Sequence, residues 1–188
     1  SSNIEGSFDW KESEAENAKR TIEKLYTQIL ECIRERKKGN VPALFESKFN
    51  KIIKTATEKI SQMKLREYDN KVVFDMLNLV KDAKLKLDKK ELEALYEIIT
   101  ESWIKMIAPF CPHIAEECWG KLIGKSFVSL QEWPKADEKK INEKLEAQEK
   151  ILQNAIDDIN NIMKILKEKQ SKEAKTIYLY TLPNEKDI

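Results

Sequence analysis

Apolar residues fall at helical spacing along almost the whole chain. Ala18, Ile22, Leu25, Ile29 and Cys32 step by four and three, which lays one apolar face on a helix ending at Gly39. Asp9 followed by Glu12 has the spacing of a capping box, with Asp in place of Ser or Thr. Pro42 suits the first turn of a second helix, whose stripe is Phe45, Phe49, Ile52, Ala56, Ile60 and Met63. Val72, Val73, Met76, Leu77 and Val80 mark a third. Asp88 is placed to cap a fourth, which turns Leu92, Leu95, Tyr96, Ile99, Trp103, Met106 and Ile107 inward. Pro109 cannot continue that helix, and Pro112 fits the first position of a fifth. Cys111 then becomes the N-cap, with Ala115, Cys118, Trp119 and Leu122 on the buried face.

Beyond this corner the pattern changes. Phe127-Val128-Ser129-Leu130 predicts a short strand closed by Trp133-Pro134. Leu145, Leu152, Ile156, Ile159, Met163 and Leu166 predict a long helix, and residues 176–180 alternate as a strand does. The expected fold is mainly α: an antiparallel helical bundle over residues 1–134, then a long connecting helix and strand over 135–188, the start of an incomplete α+β part. One strand cannot stand alone, so the sequence is expected to stop inside a further domain; its opening at Ser1 is expected to be a cut or processed start.

Composition narrows the chemistry. The 188 residues are 41% hydrophobic, enough for a sizeable core, and 36% charged, as long exposed helices are. The four glycines form no G-x-G-x-x-G and no phosphate loop, so no nucleotide-cradling turn of the usual kinds is present. No apolar run approaches the ~18 residues that span a bilayer, and no signal-peptide pattern appears. Three widely spaced cysteines argue for a reducing compartment, so a cytoplasmic location without a membrane partner is expected. His113 is the only histidine, which excludes every two-histidine signature. Cys111, His113 and Cys118 lack a fourth ligand and the paired spacing of a zinc site, and Cys111 and His113 diverge on a helix start. Adjacent carboxylates such as Glu116-Glu117 point apart on a helix, so no catalytic constellation survives. Trp10, Trp103, Trp119 and Trp133 sit at element ends or on apolar stripes, which suits a core role better than base stacking.

Charge supplies the one positive signal. The net charge of +1 hides a division: residues 34–90 hold 16 basic and 8 acidic residues, whereas both flanks are net acidic. A basic middle in an otherwise acidic chain points to a polyanion contact, although Lys and Glu are also the ordinary coat of exposed helices.

Four stretches carry a family resemblance. Trp103-Ile-Lys-Met-Ile-Ala-Pro-Phe-Cys-Pro-His-Ile-Ala-Glu-Glu-Cys-Trp119 resembles the signature corner of class Ia aminoacyl-tRNA synthetases, which lies in their helical anticodon-binding domain. Ser7-Phe-Asp-Trp-Lys-Glu12 and the run from Arg66-Glu67 to Phe74-Asp75-Met76-Leu77-Asn78 resemble the bundle entry and third helix of leucyl-tRNA synthetases of archaeal and eukaryotic type. Phe127-Val-Ser-Leu-Gln-Glu-Trp-Pro134 and Ile177-Tyr-Leu-Tyr-Thr-Leu-Pro183 are more similar to the leucyl pattern than to the valyl or isoleucyl one. Where the family usually has Thr, Ala or another small residue, this chain has Cys111, a departure that touches the cap and not the function.

The resemblance implies a tRNA-binding domain that positions tRNA(Leu), while a catalytic core outside this chain uses ATP and magnesium to activate leucine; the chain itself is expected to hold no catalytic residue, metal or cofactor. Leucyl enzymes lean little on the anticodon bases, and their archaeal C-terminal domain reads the long variable arm. The basic middle then offers Arg34, Arg36, Lys37, Lys38, Lys51, Lys54, Lys64, Arg66 and Lys71 as clamps on the RNA backbone. Arg66 matches a basic position in the family's third-helix motif, and its planar fork suits both phosphate and base. Expected partners are tRNA and the rest of a synthetase, with the chain itself monomeric. Two alternatives stand beside this reading: the same domain from a valyl or isoleucyl enzyme, and a helical protein-interaction module that uses the 145–166 stripe and binds no RNA.

Overall fold

A computed structural model of the protein describes residues 11–170, 176 and 178, the side chains of 167–170 excepted. Contacts divide the chain into two units, split between Ile141 and Asn142. The first is a helical bundle of α1 (Glu12–Glu35), α2 (Ala43–Ser61), α3 (Leu65–Asp69), α4 (Met76–Lys86), α5 (Lys89–Ile107) and α6 (Pro112–Leu122). Helix α5 is the hub: it touches α1, α2, α4 and α6, and it buries Leu95, Tyr96, Ile99, Trp103, Ile104, Met106 and Ile107. Helix α2 packs on α3 and α4, and α1 on α6.

Helix starts follow local chemistry. Asp88 caps α5 through a complete capping box: the Glu91 N–H donates to its carboxylate at 2.9 Å, and the Glu91 side chain accepts from the Asp88 N–H at 3.1 Å. Helix α6 opens with Pro112, and Cys111 stands at its N-cap without a side-chain bond. Asp9 lies outside the described residues, and α1 begins after Lys11, which offers no side-chain cap.

The link between α3 and α4 is wound as a π-helix, Asn70–Asp75, and the spacing of the apolar residues explains it. Tyr68, Val72, Met76 and Val80 are each four residues apart. On a regular α-helix three such steps drift by about 120°, so Val80 would leave the core face. The extra residue taken up by a π turn returns about 100° of that drift. All four side chains are consequently at most 1% exposed. The indole N–H of Trp103 donates to the Val72 carbonyl inside the turn at 2.8 Å, and the Tyr68 hydroxyl donates to the Met106 carbonyl, so α5 holds the turn from within.

Two expectations are corrected. Residues 127–130 form no strand; Val128–Leu130 is a 3₁₀ turn. Its N–H groups are used locally: Val128 and Ser129 donate to the Glu116 carboxylate at 2.8 and 3.2 Å, and Leu130 donates to the Phe127 carbonyl at 3.2 Å. Gly124 (φ 73°) and Ser126 (φ 61°) bend the chain tightly just before it. Met63, placed on the buried stripe of α2, lies past the end of that helix at φ 56° and is 63% exposed. The expected strand at 176–180 falls outside the described residues apart from Thr176 and Tyr178.

The second unit contains α7 (Glu143–Gln170), whose start is capped by Asn142 accepting the Leu145 N–H at 3.1 Å. Ile151, Leu152, Ile156, Ile162 and Ile165 remain roughly half exposed along it.

Candidate nucleic-acid interface

The nine candidate cations do not form one patch. Arg34, Arg36, Lys37 and Lys38 sit at the α1–α2 corner, and Lys64 and Arg66 at the far end of α2, which rises ~28 Å over its 19 residues. At the corner, charge is fastened down. Arg36 pairs with Glu97 at 3.4 Å, and the Lys37 ammonium reaches both oxygens of the largely buried Glu93 at 3.0 Å. The Lys37 N–H also donates to the Glu93 carbonyl at 3.0 Å, so this loop is bound to α5 by backbone and side chain together. Gly39 fits there because any Cβ would lie 2.9 Å from that of Ala94. Arg34 leans on Glu35 at 3.2 Å, while Lys38 is exposed with no ion pair among the described residues.

Along α2 the outer face is covered by the segment after the 3₁₀ turn. The Trp133 indole donates to Thr57 at 2.8 Å, the Asp137 N–H to Asn50 at 2.7 Å, and Lys140 to Glu46 at 2.8 Å. Lys54 pairs with Glu138 at 3.3 Å in the same seam, and Lys51 is exposed one turn before it.

The segment from α3 through the π turn to α4 forms one helical rod, and it behaves differently. Its inner flank is closed by ion pairs: Glu67 with Lys59 at 2.5 Å, Asp75 with Lys71 at 2.7 Å, and Asp82 with Lys48 at 2.9 Å and Lys86 at 2.8 Å. Burial opposes ionisation of Asp82, but the hydrogen bonds from Lys86 and Lys48 outweigh it and hold the carboxyl below the usual aspartate range. Arg66 and Lys81 on the outer side, and Lys64 at the rod's start beside Glu67, are exposed and have no ion pair among the described residues.

Burial pushes the Cys32 thiol up to about 12 and the Cys118 thiol up to about 11, and it raises Cys111 as well, so none is a thiolate near neutrality. No metal-binding group of His, Cys, Asp or Glu occurs among the described residues. His113 is exposed on α6. Glu116 and Glu117 do separate as expected, but neither is idle: Glu116 pins the 3₁₀ turn, and Glu117 joins Lys121 and Tyr26. Trp103 and Trp119 are core residues. Among the described residues no helix is long and apolar enough to cross a membrane.

Comparison with known proteins places this arrangement. A family model described as the anticodon-binding domain of tRNA ligase matches residues 43–178. The leucine--tRNA ligase of Staphylothermus marinus is 31% identical over 173 residues, 89% of this chain and 18% of the relative. That of Pyrococcus horikoshii is 30% identical over 182 residues, 93% of this chain and 18% of the relative. The chain thus spans about a fifth of the length of these curated relatives. In fold it resembles a chain from the ternary complex of Agrobacterium radiobacter K84 agnB2 LeuRS with tRNA and LeuAMS, with a TM-score of 0.53 and 18% identity, over 72% of this chain and 18% of that one.

Proposed function

This chain belongs to the family of anticodon-binding domains of tRNA ligases, and on that premise we propose that it is the tRNA-gripping part of a leucine--tRNA ligase. The observation that carries the reading is the family match, because the matched span contains Lys51, Lys54, Lys64, Arg66 and Lys71. Leucine specificity is supported by relatives near 30% identity across about nine-tenths of the chain, several of them leucine ligases. A valyl or isoleucyl parent, and a protein-interaction module without RNA binding, have no comparable support.

In this reading the module orients tRNA(Leu), and the ATP- and magnesium-dependent leucylation is assigned to the rest of the ligase. Lysine and arginine neutralise phosphates and release counterions, which gives sequence-independent grip. Of the nine candidate cations, the proposed contacts are those that the fold leaves out of ion pairs. Lys38, Lys64 and Arg66 are in no ion pair among the described residues, whereas Arg36, Lys37, Lys54 and Lys71 bind RNA only by giving up an ion pair. A monomer working in the cytoplasm is part of the same proposal. Equilibrium binding of a tRNA(Leu) transcript to the 188-residue chain tests it. Salt-sensitive binding is expected, and its absence at low salt overturns the reading.

A further inference from the structure

Phe74 is unexplained by the core. It lies within the π turn yet is 49% exposed, while its neighbours Val72, Val73 and Met76 are buried. The winding that aligns the inner apolar residues also aligns an outer row. Arg66, Asn70, Phe74 and Asn78 are four residues apart and Lys81 follows by three, so one extra residue in the turn keeps all five on one face of the rod. All five are exposed, and none has a side-chain hydrogen bond or ion pair among the described residues. Of the rod's carboxylates, Glu67, Asp75 and Asp82 are each engaged by a lysine, and Asp69, in no ion pair among the described residues, is half-buried, which raises its carboxyl above the ordinary range. The row therefore presents a flat aromatic surface, an amide on either side of it, and a free cation at each end, with no competing negative charge of its own.

From this we infer that the outer face of the rod holds an unpaired stretch of RNA, with one base stacked on Phe74. Arg66 and Lys81 lie ~12 and ~10 Å along the rod from Phe74, and they contact phosphates on either side of the stacked nucleotide. Asn70 and Asn78 offer donors and acceptors to base edges. Any base provides a π face, so the stack tolerates sequence, and the cations supply grip. Charge complementarity selects this occupant: a polyanion with exposed rings matches a cation–amide–aromatic–amide–cation row. The inference rests on the tRNA-binding reading and adds where, and by which contacts, single-stranded nucleotides are held.

The test measures binding of the full chain to a tRNA(Leu) transcript, to an unstructured 12-nucleotide RNA, and to that RNA annealed to its complement. Phe74→Ala is expected to weaken binding of the transcript and the single strand about 5- to 150-fold, the range of one lost base–aromatic stack, while leaving the duplex unaffected. Its salt slope should stay that of the parent, and Phe74→Trp should bind at least as tightly as the parent. Arg66→Ala and Lys81→Ala should each lower the slope by about 0.7–0.9. Phe74 is half exposed, so helicity and melting temperature should hold in every variant, and Phe74→Leu separates lost stacking from lost apolar area. If the parent binds the transcript but Phe74→Ala and Phe74→Leu bind equally well, the rod is not the contact and the tRNA reading survives. If Phe74→Ala instead abolishes concentration-dependent self-association, the face serves a protein contact and the inference fails. If the parent binds no RNA, both this inference and the function it rests on fall.

Discussion

The α1–α2 corner and the α3–α4 rod are both rich in lysine and arginine, but among the described residues the corner ties Arg36 and Lys37 to carboxylates and leaves Lys38 unpaired, whereas the rod leaves Arg66 and Lys81 outside any ion pair. At the corner Arg36 and Lys37 face carboxylates that α5 contributes from about 60 residues further on, and the fold uses their charge to bind the loop. On the rod Glu67, Asp75 and Asp82 pair with lysines and Asp69 is half-buried, leaving Arg66 and Lys81 on the outside. The difference shows that a run of basic residues measures charge in the sequence, not charge offered to a ligand. Which cations remain free depends on where the acids of distant helices land.

The comparison breaks first if the rod loses its winding. Trp103 is fully buried and bonds into the π turn, so Trp103→Ala should cost about 3–5 kcal/mol in thermal or denaturant unfolding. A loss under ~1 kcal/mol would mean that α5 does not hold the turn. The corner has its own weak point. Gly39→Ala forces a Cβ against Ala94 and should cost about 1–3 kcal/mol; Arg36 and Lys37 beside it are already paired, so any loss of RNA affinity should not exceed that of the one unpaired neighbour, Lys38.

Cys111→Thr sharpens the contrast by changing stability without touching charge. Threonine accepts a backbone N–H at an N-cap where the cysteine makes no side-chain bond, so a gain of about 1 kcal/mol is expected, with RNA binding as in the parent. A loss would mean that the thiol is packed too closely to replace. Acid has the smallest expected effect. The Asp82 carboxyl is held below its ordinary value of 3.8, so its contribution is complete above that value and is lost as pH falls through the lowered one. Being an ion pair near the surface, it is worth ~0.5 kcal/mol or less. Asp82→Asn should remove that part of the fall in melting temperature between pH 5 and pH 2.5; an unchanged fall would assign the acid sensitivity elsewhere.

Much of the bundle was legible because its helices carry long 3–4 stripes and strong punctuation. Asp88 and the Pro109/Pro112 pair mark real boundaries, since capping and ring closure act locally. The turn at 128–130 was not legible, because the Val128 and Ser129 N–H groups are taken by Glu116, and a short apolar, β-prone tetrapeptide looks the same whether or not a neighbouring strand exists. The π turn did leave a trace: the spacing of Tyr68, Val72, Met76 and Val80 is 4.0 rather than 3.6. Of the candidate site, Arg66 and Lys64 could be named from the basic run and the family motif. That Arg36 and Lys37 would be occupied by Glu97 and Glu93 depends on tertiary pairing, which composition does not carry. Phe74 was passed over because one exposed aromatic is recognised only once the phase of its helix is known.

The most direct measurement is the slope of log binding constant against log salt for a tRNA(Leu) transcript, compared between two double variants of the full chain. Lys64→Ala with Arg66→Ala removes two unpaired cations from the rod end and should lower the slope by about 1.4–1.8. Arg36→Ala with Lys37→Ala removes two cations that α5 already holds and should leave the slope within error of the parent. Equal losses from the two pairs, or binding that ignores salt, would contradict the account.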